Sequence, residues 1–328
     1  MPRRLPQRRS ATSLRRAAEG EGTRTIVIAL VANVVIAVSK LVAGLIASST
    51  GMLAEAAHSA ADCVNEVFLA IGQHRDRQPA DATHPLGHGR ERFLWAFMAA
   101  IASFLVGGCL SVAMAVAELK ERHPLPDGLA AWIVLAISFA AEGASWLQST
   151  RQARRQAKEY GLTARRYLMV ASDPTVRAVV FEDTAALIGL SLAACGLALS
   201  HALGTNVPDS LASLLIGVLL AVTAFGLARP LGDFLVGRSI PGPQLQTLRS
   251  ILERDEAIDQ VVTLRAMYSG PEEVIVVAKV HPAPGLDSVR LTRAMDDLDH
   301  RIREALPYVA DVFVDVTAHR ADDDPHDE

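Results

Sequence analysis

Residues Met52–Gln73 read "MLAEAAHSAADCVNEVFLAIGQ". The stretch is long enough to cross a bilayer as a helix, which takes about 20 residues. Yet Glu55, His58, Asp62, Asn65 and Glu66 recur in it at spacings of three and four, which puts them on one helical face. An ionisable side chain at the bilayer centre costs about 2.5–3.5 kcal/mol on the insertion scale. A face with this many polar groups therefore looks into a protein interior or an aqueous cavity, never into lipid. The stretch predicts a membrane bundle with a polar centre.

Working outward, five further apolar stretches reach bilayer length: Thr25–Ile46, Leu94–Leu119, Leu129–Leu147, Val176–Ala202 and Leu211–Pro230. Half of all residues are apolar and the mean hydropathy is +0.25. The expected fold is an α-helical membrane protein with six transmembrane helices. Hydropathy fades after Arg229, and from Ile240 onward 18 acids stand against 9 Lys/Arg, a net of −9 in a chain whose total is −4. Such a split predicts two regions with different tasks. The expected domains are a basic tail over 1–24, a six-helix transmembrane domain over 25–238, a small α/β domain over 239–318 and an acidic tail over 319–328.

Lys and Arg flanking membrane segments tend to remain cytoplasmic. They crowd the N-terminal tail (Arg3, Arg4, Arg8, Arg9, Arg15, Arg16, Arg24), the loop after the second segment (Arg75, Arg77, Arg90, Arg92) and the loop after the fourth (Arg151 to Arg166). The opposite connections "ASSTG" and "HALGTNVPD" have none. Both termini are thus expected in the cytoplasm, in a bacterial inner membrane. The first twenty residues also have the Arg- and Ser-rich make-up of a transit peptide, but a basic tail held at an anionic leaflet is the expectation. Cys63, Cys109 and Cys195 fall in separate membrane segments and are expected to be small packing residues without a disulfide.

Beyond the break "RSIPGPQ" the pattern predicts helix, strand, strand, helix, strand. The helices are Gln244–Arg254 and Ser288–Leu306, and the strands lie near Val261–Ala266, Glu273–Val280 and Asp311–Thr317. Leu291, Met295, Leu298, Ile302 and Leu306 form one apolar stripe along the second helix. A domain of this size is marginal alone, so pairing with a second copy is expected.

His58 and Asp62, one turn apart, point the same way, and an imidazole with a carboxylate can hold one divalent ion. A hydrogen bond that only locks two helices is the alternative. The fifth segment offers Asp183 as a further oxygen, with Glu182 beside it about 100° round the helix, while Val179, one turn before Asp183, cannot ligate. Asn65, Glu142 and Glu182 are candidates for an extra ligand or for proton relay, and Lys40 for a counter-charge or a snorkelling side chain. Between the second and third segments, "ADATHPLGHGRER" (Ala80–Arg92) holds Asp81, His84 and His88, with Pro85, Gly87 and Gly89 suited to a turn. That loop is either a second metal site or an ordinary solvated connection.

Taken together, "GMLAEAAHSAADCVNE", "DATHPLGHGRER" and "EDTAALIGLSL" resemble the cation diffusion facilitator family of divalent-metal/proton antiporters, in its zinc-transporter-like branch. The resemblance runs from Arg24 to about Ala318. It implies that His58, Asp62 and Asp183 form the mid-membrane transport site and that Asp81, His84 and His88 form an accessory site in the cytoplasmic loop. It also implies a homodimer joined through a metallochaperone-like, ferredoxin-like cytoplasmic domain. The positions at which relatives carry zinc-binding histidines in that domain correspond here to Val262, Ala278, Asp315 and Thr317, so no strong metal site is expected there. "DPTVRAVVFEDTAALIG" is similar to the branch containing the animal mitochondrial zinc exporters.

The expected activity is efflux of zinc exchanged for protons, with His58 as proton carrier, since an unperturbed imidazole titrates near pH 6.5. Manganese or ferrous iron is the alternative cargo, because the fifth segment offers oxygen only. A non-transporting metal-sensing scaffold is a more distant alternative. No enzymatic activity is expected, for no His-Glu-x-x-His or similar pair is present. Zn2+ enters as substrate rather than as a resident cofactor. The partners are metal ions, protons, lipid and a second copy, with no nucleic acid.

Overall fold

The computed structural model describes residues 30–319 except 32, 121–128, 160–162, 171–173 and 272. The basic tail expected over 1–24, nearly all of the acidic tail over 319–328, and the opening residues of the first predicted span lie outside the described residues. The helices are α1 (Asn33–Ala47), α2 (Thr50–Arg75), α3 (Glu91–Leu119), α4 (Leu129–Glu159), α5 (Ala164–Val170), α6 (Pro174–Leu203) and α7 (Val207–Val236). There follow α8 (Gly242–Glu253), β1 (Ile258–Gly270), β2 (Glu273–Pro282), α9 (Ser288–Ala305) and β3 (Val309–Val316).

Among the described residues, α3, α4, α6 and α7 are long and apolar enough to cross a membrane. The polar stripe of α2 keeps its 26 residues from qualifying on apolarity. α4 outruns its prediction, continuing past Leu147 to Glu159. Hydropathy marks the depth of lipid, whereas nothing in "QSTRQARRQAKE" breaks a helix, and most of it favours one.

By packing, the chain divides into two units. The first comprises Met1–Ala70, Met98–Gln148 and Val180–Phe225. Its core is built on small residues that let helices approach closely: Ala43 and Ala47 of α1, Ala54 of α2, Ala131 of α4, Ala185 and Ala193 of α6. Met52, Leu190, Leu197, Ile216 and Leu220 fill what remains. In α3, a π-helical turn at Ser103–Cys109 brings Gly107 and Gly108 against Leu220 and Ala221 of α7, where an added Cβ would lie 3.1–3.3 Å from them. Large apolar side chains such as Val35, Ile46, Ile137, Val222 and Phe225 point outward, as lipid-facing positions do. Cys109 and Cys195 are outward too, and Cys63 is half-buried. All three are free thiols.

The second unit comprises Ile71–Phe97, Ser149–Val179 and Gly226–Glu328. Its sheet has the order β1-β2-β3, with β1/β2 antiparallel and β2/β3 parallel across α9. The element order matches the predicted helix, strand, strand, helix, strand. Central β2 buries Val274, Ile275, Val276, Ala278 and Val280, as a strand flanked on both edges should. Asp287 caps α9 by accepting from the Arg290 backbone N–H at 2.8 Å. Leu298, Ile302 and Leu306 bury its apolar stripe, while Leu291 and Met295 are half-buried. Phe93 stacks on Phe234 with ring centroids 4.7 Å apart, and Tyr268 meets Phe234 edge-on at 5.4 Å. Val262 and Ala278 are buried apolar residues, and His281 bonds through Nδ1 to the Thr317 carbonyl at 3.1 Å.

Candidate metal sites

Alanines separate the polar residues of α2, so a helix-favouring backbone carries the polar face without bulky neighbours. Glu55, His58 and Asn65 are buried on that face, beside buried Ala54, Ala57 and Ala61. His58 Nε2 lies 3.4 Å from Asp62 Oδ2, the contact anticipated from their spacing. Among the described residues, neither ring nitrogen of His58 finds a hydrogen-bond partner, nor does Asp62 Oδ1. Buried polar atoms are ordinarily satisfied, so this pair has ligand capacity to spare.

Helix α6 contributes two carboxylates to the same unit. Asp183 is buried and accepts from Ser145 Oγ of α4 at 3.0 Å. Glu182 accepts from Asn65 Nδ2 of α2. Asp62 lies within electrostatic range of Glu142 and Asp183, and Glu182 within range of Asp62, Asp183 and Glu66. His58, Asp62, Asn65, Glu142, Glu182 and Asp183 thus share one polar interior. Their donor atoms are nevertheless looser than those of the loop described next. Among the described residues, only the loop brings three His/Cys/Asp/Glu donor atoms within 4.8 Å of one another.

That cluster is Asp81, His84 and His88, in the second unit. The loop folds around Asp81, whose Oδ1 accepts from Thr83 N (2.8 Å), Thr83 Oγ1 (2.7 Å) and His84 N (2.7 Å). This is an Asx-turn, in which the short carboxylate replaces a backbone acceptor. Gly87 adopts φ +80°, a conformation that favours glycine, and turns the chain so that the His84 and His88 rings come to 4.2 Å. Asp81 Oδ2 then meets His88 Nε2 at 3.1 Å, while His84 Nδ1 is 3.5 Å from Asp81 Oδ1. The bonds from the Thr83 hydroxyl, the His84 backbone and His88 hold the Asp81 carboxyl well below the usual carboxylate range. His88 is raised above an ordinary imidazole, first by its bond to Glu91 and then by Asp81.

Several partners escaped the sequence reading. Glu91 Oε1 lies 3.0 Å from His88 Nδ1, and Glu91 Oε2 accepts from Trp95 Nε1 at 3.1 Å. The i, i+3 spacing of His88 and Glu91 was the available signal. Ser145 had none, because a hydroxyl on a lipid-crossing helix is unremarkable until its neighbour is known. Lys40 is the counter-charge that the sequence offered, not a snorkelling side chain: it is buried and pairs with Glu55 at 3.1 Å.

Comparison with known proteins follows the same lines. The chain is 33% identical over 224 residues to metal tolerance protein C4 of Arabidopsis thaliana, covering 68% of this chain and 49% of that one. It is 32% identical over 257 residues to the mitochondrial proton-coupled zinc antiporter SLC30A9 of Xenopus laevis, covering 78% and 46%. The manganese efflux system protein MneP of Bacillus subtilis is 23% identical over 257 residues, covering 77% and 82%. This chain spans about half the length of the first two. The cation efflux transmembrane domain matches residues 26–236, and the chain belongs to that family.

Proposed function

We propose that the protein is a divalent-cation efflux transporter that exchanges zinc for protons by alternating access. The observation that carries this reading is a buried histidine on a membrane-length helix, 3.4 Å from a carboxylate, with neither ring nitrogen hydrogen-bonded among the described residues. His58, Asp62 and Asp183 are the transport ligands, and Glu182, Asn65 or Glu142 completes the set left short by Val179. Binding needs neutral imidazole and ionised carboxylate, so loading the ion releases protons and external protons drive it off again. Asp81, His84 and His88 form an accessory station in the cytoplasmic loop. The names of the zinc-antiporting and manganese-exporting relatives support a divalent cargo.

In this reading α1 and α2 complete six spans, and residues 25–238 make up the transport domain. Residues 239–318 form a metallochaperone-like, ferredoxin-like domain through which two copies pair. The protein resides in a bacterial inner membrane with both termini in the cytoplasm.

Manganese or ferrous iron is a second cargo, favoured by the all-oxygen contribution of Glu182 and Asp183, since hard ions accept such sets. Purified protein in proteoliposomes decides. A zinc gradient should drive counter-movement of protons, and Asp62→Ala or Asp183→Ala should cut zinc flux by about 100-fold or more while the protein stays folded, on the scale of a lost ligand. Undiminished flux in the Asp183 variant would overturn the assignment of α6. Competition by manganese or iron at or below the zinc concentration would exchange the first cargo for the second.

A further inference from the structure

Lys40 of α1 has no exposed surface, nor has its partner Glu55 of α2. The ammonium donates to Glu55 Oε2 at 3.1 Å and to Ser59 Oγ at 2.8 Å, and Glu142 Oε1 of α4 lies 3.9 Å away. The other Glu55 oxygen has no hydrogen-bond partner among the described residues and rests against Gly189 of α6, where a Cβ would collide with it. Three helices thus supply charges to one point, and a glycine on a fourth leaves room for them. The same ammonium lies within electrostatic range of both His58 and Asp62.

Burying an ion pair is expensive unless its geometry is good, and a well-packed apolar pair often does as well. A tie between helices therefore gives no reason for a lysine here, but a need for fixed positive charge does. The polar interior holds Glu55, Asp62, Glu66, Glu142, Glu182 and Asp183. A divalent ion among so many carboxylates, in an interior of lower dielectric than water, binds too tightly to be released. Resting on the reading of His58, Asp62 and Asp183 as the transport site, we propose that Lys40 is a charge-setting residue. Its ammonium, anchored by Glu55 and Ser59 and facing Glu142, weakens the attraction of the carboxylates for the cargo enough to let it leave. It touches no cargo itself.

The test uses full-length protein carrying His84→Ala and His88→Ala, so that the loop adds no binding. Zinc affinity is measured in detergent by competition with a chromophoric chelator, and turnover in proteoliposomes. Lys40→Met should tighten zinc binding about tenfold or more and slow turnover, because one fixed positive charge is lost from a low-dielectric interior. Lys40→Arg should stay near the parent. Glu55→Gln should weaken binding by a similar factor, and Lys40→Met/Glu55→Gln should return to the parent value, since one charge of each sign is removed.

Unchanged affinity in Lys40→Met overturns the proposal. A double variant as weak as Glu55→Gln alone also overturns it, by making Glu55 a ligand. Should Lys40→Met fail to fold, Glu55→Gln carries the test, and unchanged affinity there has the same force. Asp62→Asn separates the two levels. If it binds zinc like the parent, the transport-site reading itself fails, whatever Lys40 does.

Discussion

His88 is tied at both ring nitrogens, by Glu91 Oε1 at 3.0 Å and by Asp81 Oδ2 at 3.1 Å. The Glu91 bond leaves Nε2 as the nitrogen that faces Asp81 and His84, which is how an outer carboxylate commonly orients a metal-binding imidazole. Both bonds favour the protonated ring and raise His88 above an ordinary histidine. A metal must displace that proton, so zinc affinity at the loop should climb as pH rises through and beyond about 6.5, the ordinary imidazole value. Glu91→Gln should move the climb to lower pH and weaken zinc binding at high pH about tenfold. Zinc titrations at several pH values, in an Asp62→Ala background, read both effects. A profile unmoved by Glu91→Gln would remove Glu91 from the site. Asp81, His84 and His88 were legible from spacing because a tight turn joins residues near in sequence. The Asn65–Glu182 and Ser145–Asp183 bonds were not, because each joins residues on different helices and only packing brings them together.

α2 illustrates how an element is secured from outside itself. Its N-terminus leaves backbone N–H groups without intrahelical partners. The carboxylate of Asp209, in the first turn of α7, accepts from Ser49 Oγ (2.9 Å), Thr50 Oγ1 (3.1 Å) and the Gly51 N–H (3.1 Å). Gly51 leaves room for it, for an added Cβ would lie 2.8 Å from Oδ1. The helix that carries His58 and Asp62 is thereby capped by another helix. Asp209→Ala should destabilise the protein by about 1–2 kcal/mol, the range of a lost cap, and Asp209→Asn, which keeps an acceptor, should lose less. Thermal melts in detergent compare them, and equal melting temperatures for parent and Asp209→Ala would remove the cap from the stability of α2. Elements of the second unit were well legible in sequence, since β-branched runs and a 3.6-residue stripe are local signals. The end of α4 was not, because a helix leaving lipid changes its hydropathy but not its hydrogen bonding.

Across the whole molecule, the charge asymmetry and the helix count make one linked claim. On the proposed six-span reading the chain returns to its starting side, and the tendency of Lys/Arg-rich connections to stay cytoplasmic makes the cytoplasm the expected side. α3, α4, α6 and α7 meet the requirements of length and apolarity unaided. α2 falls short because of its polar face, and on the proposed reading that face serves an ion-carrying interior, so apolarity alone would undercount the spans. The orientation is checked in a background with Cys63, Cys109 and Cys195 replaced, using single cysteines at Ala18, at Thr205 between α6 and α7, and at His300 on the exposed side of α9. In right-side-out spheroplasts a membrane-impermeant maleimide should label the Thr205 position at once and the Ala18 and His300 positions only after permeabilisation. Labelling of Ala18 and His300 on opposite sides would mean an odd number of spans and would end the six-helix architecture. Labelling of both from outside would keep the count and invert the protein, which would make the loop of Asp81, His84 and His88 the first group met by an external ion.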